Sequence, residues 1–201
     1  MSDRTGIFAG DDPFQIAKRW LDEATVSELN DPTASTLATV DDRGMPNIRV
    51  VLLKAIEHNG FVFFTNYSSR KGREIASSGK AAINFHWKSL GRQIRVRGAI
   101  AKVSTTVSDE YYQSRPLGSR IGAWASQQSE PLDAKATLVR LVRDAEAKHG
   151  QDPTRPPHWG GYRLTPTEIE FWAHGEHRLH DRFRWQRADG ADGWQIQRLN
   201  P

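Results

Sequence analysis

Residues 64–71 of the chain place two cations where a predicted strand gives way to a predicted helix. Hydroxyl residues follow the strand, and Ser69 is a typical N-cap ahead of Arg70 and Lys71. Free backbone N–H groups and the helix dipole attract anions to a helix start and disfavour cations there unless an anion is present. We therefore predict that Arg70 clamps a phosphate and that Lys71 adds a point charge. The alternative is an ordinary capped helix with solvated cations.

A second cationic pattern occupies the predicted strand at residues 49–54, which reads Arg-Val-Val-Leu-Leu-Lys. Side chains alternate along a strand, so Arg49 and Lys54 should face opposite sides. The strand could then serve two different anions, or one anion if it bends. On these residues alone, a core strand whose terminal charges reach water is the simpler interpretation.

A third cationic stretch, residues 92–97, puts Gln93, Arg95 and Arg97 on one face of a predicted strand. Such a face could bind nucleic acid or could simply be solvated. Nucleic-acid stacking needs aromatic residues between the arginines, and here the interleaved residues are Gln, Ile and Val. We therefore expect no nucleic-acid binding. The amide of Gln93 could instead bind the edge of a heterocycle, because it both donates and accepts hydrogen bonds.

Tyr111, Arg115 and Ser119 could form a second phosphate site. Tyr111 and Arg115 are four residues apart and share one face of a predicted helix, and Ser119 follows in the turn. A phenol, a guanidinium and a hydroxyl together suit a phosphate ester, although many helices carry this Tyr–Arg spacing without binding one.

The last candidate group lies at residues 174–182, where three histidines recur at intervals of three. Metal sites use such clusters, but Gly175 breaks a helix and the spacing alternates faces on a strand, so we expect no metal site. Arg178, His180 and Arg182 alternate onto one face of a predicted strand and could bind an organic anion.

The elements that must position these residues are mostly short strands joined by tight turns. A helix begins at Asp12-Pro13, and later helices are predicted at residues 69–78, 106–114 and from about 131 to 149. Strands are predicted at residues 36–40, 47–55, 61–65, 81–87, 93–103, 161–164, 168–172, 183–187 and 194–199. Consecutive strands with helices at the margins predict an α+β fold, an antiparallel barrel with peripheral helices, rather than a Rossmann fold. We expect a short arm at residues 1–11 and one domain at residues 12–201.

The composition of the 201-residue chain restricts the classes of function. It contains no cysteine, which excludes disulfides, thiolate metal sites and Cys nucleophiles. No apolar run is long enough to span a bilayer and the N-terminus lacks an apolar signal core, so we expect a cytoplasmic protein without membrane contact. The net charge of +4 suits phosphorylated small molecules as well as nucleic acid.

Taken together, these segments resemble the pyridoxamine 5′-phosphate oxidase family over about residues 12–201. The most specific segments are residues 49–54, 65–71, 114–116, 121–126, 170–172 and 178–182. The resemblance implies an FMN-binding split β-barrel that forms a homodimer, with FMN held between the subunits.

Matching positions imply a set of site residues. Those for FMN are Arg49, Val50, Val51, Leu52, Leu53, Lys54, Phe64, Thr65, Arg70, Lys71, Gln93, Gln128, Ser129, Trp172 and Arg182. Those for the substrate are Lys54, Tyr111, Arg115 and Ser119 at its phosphate, together with Arg178, Leu179 and His180. Arg178 and His180 would border the pyridine ring and act in catalysis.

The implied reaction oxidises pyridoxamine 5′-phosphate or pyridoxine 5′-phosphate to pyridoxal 5′-phosphate. A hydride passes from C4′ of the substrate to N5 of FMN, and O₂ then takes the electrons and yields H₂O₂. The amine substrate also releases NH₃ once its imine is hydrolysed. Arg178 would orient the ring and stabilise developing charge, and His180 would assist.

Two alternatives remain beside this interpretation. One is a non-catalytic barrel that binds flavin or pyridoxal phosphate, and the other is a different flavin oxidoreductase, such as a nicotinamide-dependent flavin reductase. The complete substrate set argues against the first, and residues 178–182 argue against the second. Many family members carry a longer N-terminal arm with an Arg-Arg-x-x-Tyr-like stretch, which residues 1–11 lack, so we expect lid closure over the substrate to be altered.

Overall fold

Six antiparallel strands close into a barrel in the computed structural model, which describes residues 4–188 and 190–201. The strands are β1 (Ala34–Val40), β2 (Pro46–Ile56), β3 (Phe61–Asn66), β4 (Lys80–Trp87), β5 (Arg92–Lys102) and β6 (Trp159–Ala173). Their order is β3-β2-β1-β4-β5-β6, and β3 also pairs with β6 along the full length of β3. Two further strands, β7 (Asp181–Gln186) and β8 (Gln195–Arg198), extend the sheet beyond β6. The predicted antiparallel barrel with peripheral helices is confirmed.

The barrel interior follows from alternation along the strands. In β5, Ile94 and Val96 are buried in the core, whereas Arg95 and Arg97 between and beyond them are exposed. The first helix, α1 (Pro13–Ser27), adds Phe14, Ile16 and Trp20 to the same core. Its start is capped as predicted, because the Asp12 side chain accepts a hydrogen bond of 2.8 Å from the backbone N–H of Phe14.

The remaining helices are α2 (Arg70–Ser78), α3 (Thr105–Gln113), α4 (Leu117–Ala125) and α5 (Lys135–His149). Helix α2 begins at the predicted cap, Ser69, and ends at Gly79, whose φ of 62° places it in the left-handed region that glycine adopts without strain. Among the described residues, no helix is both long and apolar enough to cross a membrane.

Three features of the secondary structure differ from the prediction. The two strands predicted at residues 161–164 and 168–172 are one strand, β6, because a register shift opposite Arg97 and Gly98 absorbs Pro166 without ending the pairing. Helix α4 was not predicted, since Gly118 and Gly122 lower its helix propensity. Helix α5 starts at Lys135 rather than near residue 131, because Ala134 is still extended, with φ −153° and ψ 153°.

Candidate active site

A cavity of about 490 Å³ lies outside the barrel wall, where β2 and β3 meet the starts of α2 and α4. Strand β2 contributes its outward-facing residues, and helices α3 and α4 cover the opposite side. Eleven of the predicted site residues line this cavity: Val50, Val51, Leu52, Lys54, Phe64, Thr65, Lys71, Tyr111, Arg115, Ser119 and Gln128. The other lining residues are Asn66, Gly122, Ala123, Ser126 and Trp159.

The charged side chains described in the lining of this cavity are all cations. Lys54, Lys71 and Arg115 line it, and among residues 4–188 and 190–201 no Asp or Glu does so. Cations gathered without a carboxylate repel one another unless an anion joins them. The lining therefore suits one or more anionic ligands, as the sequence predicted.

Lys71 is the most buried cation in the cavity lining, with 9% of the residue exposed. Its Nζ atom donates to Oε1 of Gln128 at 3.0 Å and to the hydroxyls of Thr65 and Ser69, both at 3.2 Å. Burial and, to a lesser extent, the charge of Arg49 lower the pKa of Lys71, and Glu74 partly offsets both, so that the resulting pKa is about 8. All three hydrogen-bond partners are neutral, so the ammonium charge is not balanced by a direct ion pair.

Two of the predicted substrate-phosphate residues, Tyr111 and Arg115, contact aromatic rings in the cavity. Tyr111 stacks on Phe64 with ring centroids 3.9 Å apart, and the guanidinium carbon of Arg115 lies 4.5 Å from the ring centre of Trp159. Burial lowers the pKa of Arg115, and its buried Nη1 atom has no hydrogen-bond partner among the described residues. Ser119 lies in the first turn of α4, whose N-cap, Pro116, makes no side-chain cap. The Nη1 donor of Arg115 and the backbone N–H groups in the first turn of α4 are both suited to binding a phosphate group.

Arg49 and Arg70 form a separate cluster with Glu74 of α2. Both bind Glu74, through Nη2 of Arg49 at 3.1 Å and Nε of Arg70 at 3.0 Å, and neither lines the main cavity. Arg70 instead borders a neighbouring depression that also includes Ser129, another predicted FMN contact. The two cations at the start of α2 therefore point into adjacent depressions within one chain. The side chain of Leu53 is buried in the barrel core, so only its backbone could reach a ligand.

A second group of predicted site residues lies on strands β5, β6 and β7 and does not line the main cavity. Gln93 pairs with Trp172 between β5 and β6, and Trp172 pairs with Arg182 between β6 and β7. The ring of His180 lies 4.5 Å from that of Trp172, and Nε of Arg182 binds Glu170 at 2.9 Å. The structure thus brings the predicted residues together in two groups rather than one.

The prediction that Arg178, His180 and Arg182 share one strand face is wrong. Arg178 ends a 3-10 turn, Glu176–Arg178, in which His177 and Arg178 have φ values of 53° and 65°, and β7 begins only at Asp181. Gly175 allows this return of the chain, because a Cβ there would lie 2.0 Å from the carbonyl oxygen of Leu179. The only one of the three on a strand is Arg182.

This turn also orients His180. Its Nδ1 atom lies 3.2 Å from the backbone N of Gly175 and accepts that N–H. The neutral ring then carries its proton on Nε2, which leaves Nε2 as the group that can donate to a ligand.

Two residues in or beside the two groups, Glu74 and Trp159, escaped the sequence analysis, and Glu170 entered it only within the family segment 170–172, without a role. The spacing of Arg70 and Glu74, four apart on a predicted helix, was the one local signal for an ion pair. Trp159 and Glu170 gave no local signal, since their partners are distant in sequence. Among residues 4–188 and 190–201, no three His, Asp or Glu side chains are grouped closely enough to hold a metal ion.

Known proteins resemble this chain over nearly its whole length. Two family descriptions match it: "Pyridoxamine 5′-phosphate oxidase" over residues 21–149 and "Pyridoxine 5′-phosphate oxidase C-terminal dimerisation region" over residues 159–201. A pyridoxine/pyridoxamine 5′-phosphate oxidase of Cereibacter sphaeroides is 59% identical over 99% of this chain and 100% of the relative. A relative of the same name from Ruegeria sp. is 58% identical over the full length of both chains.

Two solved structures share the fold. PhzG from Burkholderia lata 383, in complex with tetrahydrophenazine-1-carboxylic acid, aligns with a TM-score of 0.89 and 33% identity, covering 96% of this chain and 94% of that one. A pyridoxamine 5′-phosphate oxidase-related, FMN-binding protein of Nostoc punctiforme aligns with a TM-score of 0.75 and 17% identity, covering 96% of this chain and 100% of that one, which shows the fold alone. The extent of the family match and the identity to the curated relatives establish that this chain belongs to the pyridoxamine 5′-phosphate oxidase family.

Proposed function

We propose that this chain is an FMN-dependent oxidase that converts pyridoxamine 5′-phosphate and pyridoxine 5′-phosphate to pyridoxal 5′-phosphate, with O₂ as the electron acceptor. The observation that carries the proposal is the cavity lined by Lys54, Lys71 and Arg115 without a carboxylate. Both the cofactor and the substrate of such an enzyme are phosphate esters. The names of the curated relatives and the family match support the same reaction.

The donors around the cavity fall into two sets that fit two phosphate esters. Lys71 lies with Thr65 and Gln128, and we assign this set to FMN, together with Arg49 and Arg70 behind it. Bound FMN would supply the redox chemistry: it would take a hydride from C4′ of the substrate and pass the two electrons to O₂, which is reduced to H₂O₂. With the amine substrate, water hydrolyses the product imine and ammonia leaves.

The second set of donors fits the substrate phosphate. Arg115 offers a buried Nη1 atom that has no hydrogen-bond partner in the described part of the chain, and Tyr111, Ser119 and Lys54 line the same cavity. These residues fix the position of the phosphate, so they bind substrate and transition state alike. Arg178 would orient the pyridine ring and stabilise charge near C4′, and Nε2 of His180 would donate a hydrogen bond there.

The two separate groups in one chain support a homodimeric site. We propose that Gln93, Trp172, Arg178, His180 and Arg182 of one subunit complete the cavity of the other. The outward face of β2 supports a partner in this position, because apolar residues are exposed there beside the cavity: Ile48 by 67%, Val50 by 64% and Leu52 by 41%. The match to a dimerisation region over residues 159–201, which contain four of the five residues, agrees with this assignment.

We also propose a cytoplasmic location. FMN and the substrate phosphates are charged and do not cross a bilayer unaided, so the enzyme would act in the compartment that holds them.

An absorbance spectrum of the purified protein tests the reaction. We expect flavin bands that bleach when pyridoxamine 5′-phosphate is added without oxygen and return when air is admitted. Pyridoxamine without its phosphate is the matched control and should bleach the flavin far more slowly at the same concentration. Flavin bands that never bleach would identify a carrier, and bleaching by a reduced nicotinamide but not by the substrate would identify another flavin oxidoreductase; either result would refute the proposal.

A further inference from the structure

The carboxylate of Glu74 is the centre of a buried polar network on the inner side of α2. Its side chain is 5% exposed. Oε1 accepts from Nε of Arg70 at 3.0 Å and from Nδ2 of Asn47 at 3.2 Å, while Oε2 accepts from Nη2 of Arg49 at 3.1 Å and from the hydroxyl of Thr39. Four donors from three elements therefore converge on one carboxylate.

These donors keep Glu74 ionised. Burial by itself would raise the pKa of Glu74, but the hydrogen bonds from Thr39, Asn47, Arg70 and Arg49 outweigh it and lower the pKa to about 2. The network thus holds a permanent negative charge beneath the predicted phosphate site at the start of α2.

The contact with Glu74 determines how Arg70 is presented. Nε of Arg70 is its one nitrogen with a described hydrogen bond, so both Nη atoms remain available, and 60% of the side chain is exposed. An exposed arginine with no anchor would sample many rotamers, and ordering it on binding costs free energy. Anchored at Nε, the guanidinium keeps its Nη edge free for a bidentate contact with an anion.

We propose that Glu74 is a positioning residue for the FMN phosphate, acting through Arg70 and Arg49 rather than by touching the cofactor. The inference rests on the proposed FMN site. The proposal can be distinguished from a simple charge effect. Neutralising Glu74 makes the site more positive, so charge alone would strengthen the binding of phosphate. If Glu74 positions Arg70 and Arg49, its loss weakens the binding of phosphate instead.

The test compares FMN with riboflavin, which lacks the phosphate, on apoprotein by quenching of flavin fluorescence. In Glu74→Gln we expect the dissociation constant for FMN to rise by about tenfold or more, the scale of one lost charge-assisted hydrogen bond. Riboflavin affinity should change by less than about threefold. The matched control is Glu130→Gln, which removes the same charge from the partner of Arg73 and leaves Arg70 and Arg49 in place; its FMN affinity should not fall.

A double mutant distinguishes positioning from a general structural role. If Glu74 acts mainly through Arg70, Glu74→Gln should weaken FMN much less in the Arg70→Ala background than in the parent. Glu74→Asp retains the charge but withdraws the carboxylate from Arg70, so it tests the same idea if the Gln variant fails to fold, with the same selective loss of FMN expected.

FMN binding to the folded Glu74 variants that equals or exceeds that of the parent would overturn the role of Glu74. So would equal losses of FMN and riboflavin. A parent protein that binds FMN no better than riboflavin would instead refute the phosphate site itself, and with it the proposed cofactor.

Discussion

Nζ of Lys71 lies 3.0 Å from Oε1 of Gln128, a contact that joins the start of α2 to the segment after α4. Both residues line the main cavity, and Thr65 at the end of β3 completes the contact through its hydroxyl. The end of β3, the start of α2 and the distant segment after α4 therefore meet at one ammonium group. Because its partners are neutral, the protonation state of Lys71 should govern how strongly this corner holds an anion.

FMN affinity should therefore depend on pH through Lys71. Its pKa is lowered to about 8, so the empty site carries this charge below pH 8 and loses it as pH rises through that value. A bound phosphate raises the pKa, so FMN affinity should fall by up to about tenfold per pH unit above pH 8, until the pKa of the complex is reached. Fluorescence titration of apoprotein between pH 6.5 and about 9.5 measures this.

Lys71→Arg provides the control for this pH dependence, since an arginine remains protonated throughout the range. The variant should show a flat profile, as should riboflavin binding to the parent. A parallel fall of FMN affinity in Lys71→Arg would assign the titration to another group.

Glu170 should be important for stability as well as for the position of Arg182. Its side chain is 3% exposed and binds both Arg95 and Arg182. Glu170→Ala leaves two arginines without their partner, so we expect the free energy of unfolding to fall by about 2–3 kcal/mol, less than for a fully buried pair because Arg95 is half exposed. Urea denaturation monitored by tryptophan fluorescence measures the loss.

Glu168 on the same strand is the matched control. Its nearest ion-pair contact, with Nη1 of Arg184, is 3.9 Å long. Glu168→Ala should cost less than about 1 kcal/mol. Equal losses in the two variants would mean that the ion pairs of Glu170 contribute nothing beyond those of an ordinary strand carboxylate.

Local signals explain which parts of this structure could be predicted from the sequence. Helix α2 was predicted correctly because its cap at Ser69 and its end at Gly79 are encoded within one turn of the chain. The prediction that Tyr111 and Arg115 lie at one site agrees with the structure, since both line the cavity, but their predicted shared helix face is wrong because α3 ends at Gln113 and Arg115 follows it. The exposed face of β5 was also predicted correctly, because apolar and polar residues alternate along this strand.

Other features depend on contacts that no local pattern encodes. Gln128 contacts Lys71, and Arg115 lies over the ring of Trp159, although the two residues of each pair are far apart in the sequence. The turn at residues 175–180 departs from alternation because two residues other than glycine, His177 and Arg178, take positive φ values. Such strained positions are uncommon and depend on the surrounding structure, so the assumption of an extended strand failed there.

Arg115 and Arg178 should affect different kinetic constants. Arg115 is assigned to the substrate phosphate, which is held equally in ground and transition states, so Arg115→Ala should mainly raise KM by about 10- to 100-fold. Arg178 is assigned to the charge that develops near C4′, so Arg178→Ala should mainly lower kcat and slow anaerobic flavin reduction. Stopped-flow reduction at saturating substrate separates the two effects.

FMN content provides the control for both variants and should remain normal in each. Arg182→Ala should instead reduce FMN content, because this residue is assigned to the cofactor. If Arg178→Ala reduces flavin at the parental rate under saturating substrate, its assigned role is wrong and His180 becomes the next residue to test.

Subunit complementation tests whether the two groups of site residues meet across a dimer. Arg115→Ala disables the group that lines the cavity, and Arg182→Ala disables the group on β6 and β7. In a mixed dimer of these variants, one of the two sites contains both substitutions and the other contains neither, because each site takes one group from each subunit. Random pairing makes half of the dimers mixed, so co-expression should restore about a quarter of the parental activity per subunit. The assay uses substrate well below the parental KM and no added FMN, because under these conditions the raised KM of Arg115→Ala and the low FMN content of Arg182→Ala leave each variant alone with little activity.

Mixing Arg115→Ala with Lys54→Ala is the control: both residues belong to the cavity group, so every site in that mixture retains one substitution and activity should not recover. If the Arg115→Ala and Arg182→Ala pair also fails to recover while mixed dimers are detected by native mass spectrometry, then the two groups serve the same site within one subunit or do not form a common site at all.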